Sequence, residues 1–230
     1  GDSPYQSFST FAGNPYFIDL DTLVEEGVLD KKECEKVNWG KKPDEVDYEK
    51  IYKGRYPLLR KAYENSDISK NPDYQKFVAE NSWWLSDYAL FMAVKDRFEG
   101  VEWTKWAEDI RLRWNNAMDY YREELYFDIE FQQYMQFKFY EQWMKLKSYA
   151  NSKGIQIIGD IPIYVAMDSA DAWAHPELFQ LDESQDRATK MLKYIGNIVV
   201  KERDGHKMYD PCRFPPVTGN RPDGLKQMLD

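Results

Sequence analysis

The chain has 230 residues, enough for one large domain or two small ones with a sizeable core. Hydrophobic residues make up 43% and charged residues 31%, a balance typical of a folded globular protein rather than a disordered one. The net charge of −9 disfavours a nucleic acid or an anionic membrane as partner, because phosphates would be repelled over most of the surface. The 2 cysteines are too few for a disulfide framework, so we expect a cytoplasmic protein.

The first part of the chain predicts a loop followed by helices. Residues 1–20 combine prolines and glycines with aromatic residues, which is typical of a structured loop. From there to residue 153, the apolar spacing predicts helices, and the longest should run over residues 116–152 with Gly154 just past its end. Aromatic residues lie on more than one face of this helix, so other elements have to cover it.

The pattern changes after residue 154. Residues 155–165 are largely apolar and β-branched, which predicts a parallel strand buried on both faces. Asp160 lies in this run, toward the end where α/β proteins place their active sites. Beyond residue 183 no tryptophan occurs, and residues 204–205 (Asp-Gly) predict the turn of a hairpin. We therefore place a domain boundary near residue 183.

Two long motifs resemble the signatures of one enzyme family. The first is DSPYQSFS with AGNPY and IDL, within residues 2–20, and the second is IIGDIPIYV with DSAD and WAHPE, within residues 157–177. Both resemble the 4-alpha-glucanotransferases, the amylomaltase or disproportionating-enzyme family, which is glycoside hydrolase family 77. The helical region between them, with WWLSDYALFM, is similar to the insertion of that family, so the resemblance covers about residues 1–182.

The resemblance implies an α/β protein, part of a TIM-type (β/α)8 barrel with a large, mostly helical insertion. Residues 1–20 would be a substrate-lining loop of the barrel, and residues 21–153 would be the insertion. Residues 154–182 would be barrel strand three and the loop after it. Residues 183–230 would be a tail of unassigned origin.

The resemblance also implies a transferase that passes a segment of a 1,4-α-glucan to the 4-hydroxyl of an acceptor glucan or glucose. Such a retaining reaction uses a carboxylate nucleophile and a carboxylic acid/base, and the family needs no metal or organic cofactor for it. The family's RIDHFRG, AEDLG and THDN motifs do not occur in the sequence, and residues 107–110 (AEDI) resemble the second by accident, inside the insertion. Because the chain also begins with Gly1, we expect a truncated member of starch, glycogen or maltodextrin metabolism that is inactive alone.

Four positions are implied in glucan binding, each with a structural alternative. Asp160 would bind the sugar or order its neighbours, or else would accept hydrogen bonds from the backbone. Ser3 and Tyr5 would line the substrate, with Tyr5 a stacking partner, or else would pack within the loop. Tyr52 matches a position of a secondary glucan contact, or else packs between helices.

Other side chains are expected to be structural. Trp83 and Trp84 begin an amphipathic helix and are predicted to lie in the core. His175 and His206 lack the spaced partners of a metal site or a catalytic triad. The main alternative function is a non-catalytic α-glucan-binding or interaction fragment, and a second is an inactive fragment that associates through its uncovered apolar surface.

Overall fold

The computed structural model describes residues 7–40, 44–159 and 165–179, and the backbone of two short strands further along. The chain divides into two compact units, Gly1–Pro176 and Glu177–Asp230. The α-helices of the first unit are α1 (Leu20–Glu25), α2 (Lys31–Glu35), α3 (Tyr48–Glu64), α4 (Pro72–Glu80), α5 (Ser82–Arg97), α6 (Glu108–Arg111), α7 (Asn115–Glu124), α8 (Tyr126–Ser152) and α9 (Ala170–Ala174). Short 3-10 turns lie at Pro15–Phe17, Ile68–Lys70, Trp103–Lys105 and Pro176–Leu178.

Helix α8 takes part in both hydrophobic clusters of the first unit. The first cluster joins α5 to buried tryptophans of the neighbouring segments: Trp103, Trp106 and Trp173. Ile129 and Tyr140 of α8 pack against it. The second cluster joins α1 and α3 to buried residues of α8: Phe131, Tyr134, Met135 and Phe137. The expectation that other elements cover several faces of the aromatic helix is therefore confirmed for the middle of α8.

The prediction of one helix over residues 116–152 is wrong at one point. Leu125, with φ of −107° and ψ of 22°, ends α7 and precedes α8. Its side chain is buried in the first cluster, and this packing offsets the cost of an interrupted helix. The other end is as expected. Gly154 has φ of 75°, and Ile155 N donates to Ala150 O at 3.0 Å, which closes α8 with a Schellman motif.

The predicted strand over residues 155–165 is not formed in its described part. Residues 155–159 pair with no strand, and Ile158 is 93% exposed. A parallel strand buried on both faces needs neighbouring strands for its backbone groups and helices above and below. The described part of the first unit supplies helices only, so the expectation of burial is wrong for these residues here.

The second unit contains an antiparallel pair of strands. Strand β1 (Val200–Arg203) pairs with β2 (His206–Tyr209), and Arg203 lies opposite His206. This register confirms the hairpin predicted around residues 204–205. The partition into loop, insertion, barrel segment and tail stays a prediction. Among the described residues, no helix is long and apolar enough to cross a membrane.

Candidate substrate-binding site

Most of the predicted site residues lie outside the described part of the chain: Ser3, Tyr5 and Asp160. The segments that follow them are described. Residues 7–14, here called the first segment, continue the first motif, and residues 165–171, the second segment, continue the second motif. Tyr52 lies on α3. The geometry of the site is therefore built from the two segments, from the helices that hold them, and from the surface around Tyr52.

The two segments meet at Asp171, in the first turn of α9. Asp171 Oδ2 accepts hydrogen bonds from Thr10 N and from Thr10 Oγ1, both at 2.7 Å. Asp171 Oδ1 accepts from Ser9 Oγ at 3.3 Å, and Ala170 N donates to Phe8 O at 2.8 Å. Hydrogen bonds to a carboxylate are stronger than neutral ones. Asp171 thus joins two motifs whose contacting residues are 161 positions apart in the sequence.

Asp168 ties the second segment to α5. Its Oδ2 accepts from Lys95 Nζ at 2.5 Å, and its Oδ1 accepts from Trp103 N at 3.2 Å. Lys95 is buried, and its ammonium also donates to Gly100 O at 3.1 Å and lies 5.2 Å from the centre of the Phe8 ring. A buried charge persists only with such partners, because its desolvation is costly. Lys95 and Trp103 consequently tie the second segment to α5 and to the first cluster.

Two glutamines of α8 hold the first segment and its continuation. Gln136 Oε1 accepts from Gly13 N at 2.7 Å, and Gln136 Nε2 donates to Gly13 O at 3.0 Å. Gln142 repeats the pattern on Asp19, accepting from Asp19 N at 2.7 Å and donating to Asp19 O at 3.2 Å. A carboxamide that binds both backbone groups of one residue fixes the position and the orientation of that residue.

The first segment approaches α8 so closely that Gly13 has no room for a side chain. A Cβ at this position would lie 2.0 Å from Cδ1 of Phe139. Beside it, Tyr140 OH donates to Phe11 O at 2.7 Å. Sequence reasoning missed the residues of α8 that position the first segment: Gln136, Phe139 and Tyr140. The available signal was polar glutamines within an otherwise aromatic stretch, such as Gln136.

Trp83 contacts the same segment from α5. Its ring lies 4.6 Å from that of Phe11 in an edge-on arrangement, and the residue is 39% exposed. The prediction that it lies in the core is therefore wrong, whereas Trp84 is buried as expected. The two neighbours differ because consecutive helical side chains point about 100° apart, so only one of them faces the first cluster.

Tyr52 belongs to a group of four tyrosines, here called the tyrosine strip: Tyr16, Tyr48, Tyr52 and Tyr56. The last three recur every four residues on one face of α3. The Tyr52 and Tyr56 rings are 4.7 Å apart, and Tyr16 lies 6.3 Å from Tyr56 and 6.5 Å from Tyr48. Tyr52 is 49% exposed. Half-exposed rings backed by other rings offer an apolar surface with hydroxyls at its edge, which suits stacking on a sugar.

The hydroxyls of Tyr52 and Tyr56 stay protonated at neutral pH. Burial raises the pKa of Tyr52 and of Tyr56, and the carboxylate of Asp96 on α5 adds to both shifts. The loss of hydration around the Asp96 carboxylate and the nearby negative charge of Asp128 together raise its own pKa to about 6. The residue as a whole remains exposed, and Gln132 Nε2 donates to its Oδ2 at 3.1 Å. Tyrosine hydroxyls in this state can donate hydrogen bonds to a ligand.

A cavity of about 350 Å³ lies beside α3. Its lining combines apolar, amide and lysine side chains: Val37, Asn38, Lys50, Lys53, Gly54, Pro57 and Leu58. Both lysines pair with acidic neighbours, Lys50 with Asp47 and Lys53 with Glu49, each at 2.5 Å.

Within the described ranges, no group of three or more histidine, cysteine, aspartate or glutamate side chains could hold a metal ion.

Comparison with known proteins identifies relatives of this chain. The family model described as 4-alpha-glucanotransferase matches residues 1–203, beyond the predicted limit at residue 182. The chain is 47% identical over 183 residues to the 4-alpha-glucanotransferase of Clostridium butyricum, covering 80% of this chain and 38% of that protein. It is 42% identical over 187 residues to that of Thermus thermophilus, covering 80% and 36%.

One solved structure adds a three-dimensional match. The amylomaltase from Streptococcus agalactiae, solved in complex with acarbose, aligns with a TM-score of 0.74 and 42% identity. The alignment covers 79% of this chain and 37% of that one. The chain therefore spans less than two fifths of the length of these relatives.

Proposed function

Because this chain belongs to the 4-alpha-glucanotransferase family, we propose that it is the glucan-binding front part of such a transferase. The complete reaction moves a segment of a 1,4-α-glucan to the 4-hydroxyl of an acceptor glucan or glucose by a retaining double displacement. That reaction needs two carboxyl groups about 5 Å apart. The family's motifs for both groups do not occur in the sequence. The chain alone therefore binds glucan without turning it over.

The observation that carries this proposal is the meeting of the two motif segments at Asp171. Thr10, which donates twice to that carboxylate, follows Tyr5 by five residues in the sequence, and Asp171 follows Asp160 by eleven. The junction therefore joins the motif that carries Ser3 and Tyr5 to the motif that carries Asp160, and these three residues contact the glucan.

The same proposal accounts for the exposed residues of the predicted strand. Ile155, Ile157 and Ile158 are exposed, and they are the residue types that a doubly covered parallel strand buries. In the family's TIM-type (β/α)8 barrel, residues 154–182 supply strand three, and residues 21–153 form the helical insertion. The neighbouring strands come from the part of the relatives that this chain does not match.

A secondary glucan contact at Tyr52 is supported by the tyrosine strip. Its half-exposed ring, backed by Tyr56, is suited to a maltooligosaccharide. The ligands of the chain are α-1,4-glucans and maltooligosaccharides, with acarbose as a probe because the Streptococcus agalactiae relative was solved with it. The net charge of −9 supports the exclusion of nucleic acid and membrane partners, and we assign the protein to the cytoplasm.

Incubation of the purified chain with maltotriose tests transfer, and calorimetric titration with acarbose tests binding. We expect no glucose and no longer maltooligosaccharides, but saturable binding of acarbose. The complete Clostridium butyricum transferase is the positive control for both measurements. A ladder of products would contradict the absence of a catalytic pair and direct attention to acidic residues of the tail: Asp204, Asp210 and Asp223. A flat titration would contradict glucan binding.

A further inference from the structure

We propose that Gln136 of α8 is a positioning residue that sets the first segment, residues 7–14, in its glucan-binding conformation. The inference rests on the proposed function, since the segment continues the loop that carries Ser3 and Tyr5. It concerns a residue that touches the backbone of the loop rather than the sugar.

The first argument is the burial of the Gln136 side chain. The residue is 0% exposed, and a buried carboxamide is costly unless its donors and acceptor are bonded. Besides its two bonds to Gly13, Gln136 Nε2 lies 3.4 Å from Tyr88 OH. A hydrophobic side chain would fill this position without that requirement. The carboxamide is therefore placed for its bonds to Gly13.

The second argument is the conformational freedom of Gly13. Position 13 requires glycine, because a Cβ would collide with Phe139. Glycine restricts its own backbone less than any other residue. The restraint that a side chain would supply must therefore come from elsewhere, and Gln136 supplies it by binding both the N–H and the C=O of Gly13.

The third argument is the order of contacts along the first segment. Thr10 is held by Asp171, Phe11 by Tyr140, and Gly13 by Gln136. Asp171 accepts from one backbone N–H of the segment, and Tyr140 donates to one backbone C=O, so each of them binds a single backbone group. Gln136 acts as both on a single residue and so determines the orientation of the peptide planes before and after it.

Gln136→Glu tests this role through its pH dependence. When the new side chain is a carboxylate, at about pH 7.5, it has no hydrogen to donate to Gly13 O, and one of the two bonds is lost. We therefore expect the variant to bind maltoheptaose about tenfold more weakly than wild type does. Burial raises the pKa of such a carboxyl group. At about pH 5 the protonated acid again offers one donor and one acceptor, and binding should return to within about threefold of wild type at the same pH.

Gln142→Glu is the matched control. It introduces the same group on the same helix, in the pair with Asp19, where solvent reaches both partners. We expect binding within about twofold of wild type at both pH values, because water replaces the lost bond. Amide hydrogen exchange of residues 7–14 is followed in all three proteins and should accelerate only in Gln136→Glu at the higher pH.

Equal losses in Gln136→Glu and Gln142→Glu would overturn the inference. If Gln136→Glu does not fold, or if it behaves like wild type because burial keeps its carboxyl group protonated at about pH 7.5, Gln136→Met decides, since it removes both bonds without a charge. It should bind glucan more weakly and exchange residues 7–14 faster at both pH values, and wild-type behaviour would overturn the inference. If wild type itself binds no maltoheptaose, the proposed function fails, and exchange alone decides whether Gln136 holds the segment.

Discussion

Two stretches of α8 both carry apolar side chains but have different surroundings. Residues 131–140, the covered stretch, are buried or half-buried between the two clusters and hold the first segment. Residues 144–149, the open stretch, are all exposed and include apolar side chains: Met144, Leu146 and Tyr149. The exposed apolar surface continues into residues 155–159. Apolar residues of α8 therefore lie in a formed core in the covered stretch and at the surface in the open stretch.

The largest expected difference between the stretches concerns side-chain volume. Met135→Ala should lower the free energy of unfolding by about 3 kcal/mol, because Met135 is fully buried and its removal leaves a cavity. Met144→Ala, the same change in the open stretch, should alter it by less than about 0.5 kcal/mol. Urea denaturation of both variants measures this pair. Equal effects would mean that the open stretch is covered in solution.

A smaller difference is expected for one hydroxyl group. Tyr140→Phe removes the hydrogen bond to Phe11 O and should cost about 1 kcal/mol of stability. Tyr149→Phe in the exposed region should cost nothing measurable. Thermal unfolding compares the two, and amide exchange at residues 7–14 should respond to the first variant alone. A response to the second would contradict the assignment of α8 contacts.

The next prediction concerns the pH dependence of stability at a residue of α5 that contacts the covered stretch. Asp96, which accepts a hydrogen bond from Gln132, has its pKa raised to about 6. Its folded-state pKa lies above the unfolded value, so ionisation opposes folding above about pH 6, and stability rises as pH falls from there toward about 4. Asp96→Asn should remove this rise.

The expected gain for Asp96→Asn near neutral pH is below about 1 kcal/mol, because solvent screens the exposed residue. Melting curves of wild type and variant between about pH 7 and pH 5 check the sign. Asp119→Asn on α7 is the control, since Asp119 pairs with Arg122 at the surface. A wild-type melting temperature that falls over this range while the variant's stays level would contradict the assignment.

The smallest effect on stability is expected at the exposed isoleucines. Ile158→Lys should leave the free energy of unfolding within about 0.5 kcal/mol of wild type, because the residue is 93% exposed. Self-association, measured by sedimentation at increasing concentration, should decrease, since exposed apolar surface promotes contact between copies. Unchanged sedimentation would show that this surface does not mediate association.

Some features followed from local chemistry and could be predicted from the sequence. Gly154 ends α8 because only glycine adopts its positive φ without strain. The Asp-Gly pair at residues 204–205 predicted the hairpin because a two-residue turn needs such residues. The two motifs indicated the family, since long ordered matches are specific.

Other features depended on residues distant in sequence. Packing partners that the apolar periodicity of the sequence does not reveal decide three of them: the break at Leu125, the exposure of Trp83 and the pairing of Gln136 with Gly13. Gln136 and Gly13 are 123 positions apart. The strand prediction was wrong for residues 155–159 because a β-branched run becomes a strand only when other strands pair with it.

The sequence by itself thus determined the family, the helical character of the first unit, the end of α8 and the hairpin. These depend on backbone preferences and on ordered motifs, both of which are local properties of the chain. Only the tertiary structure decided which aromatic faces are covered, how Asp171 joins the two motifs, and that Gln136 restrains Gly13. Those features depend on which surfaces and hydrogen-bonding groups meet in space, and burial makes each such meeting favourable only when its partners are present.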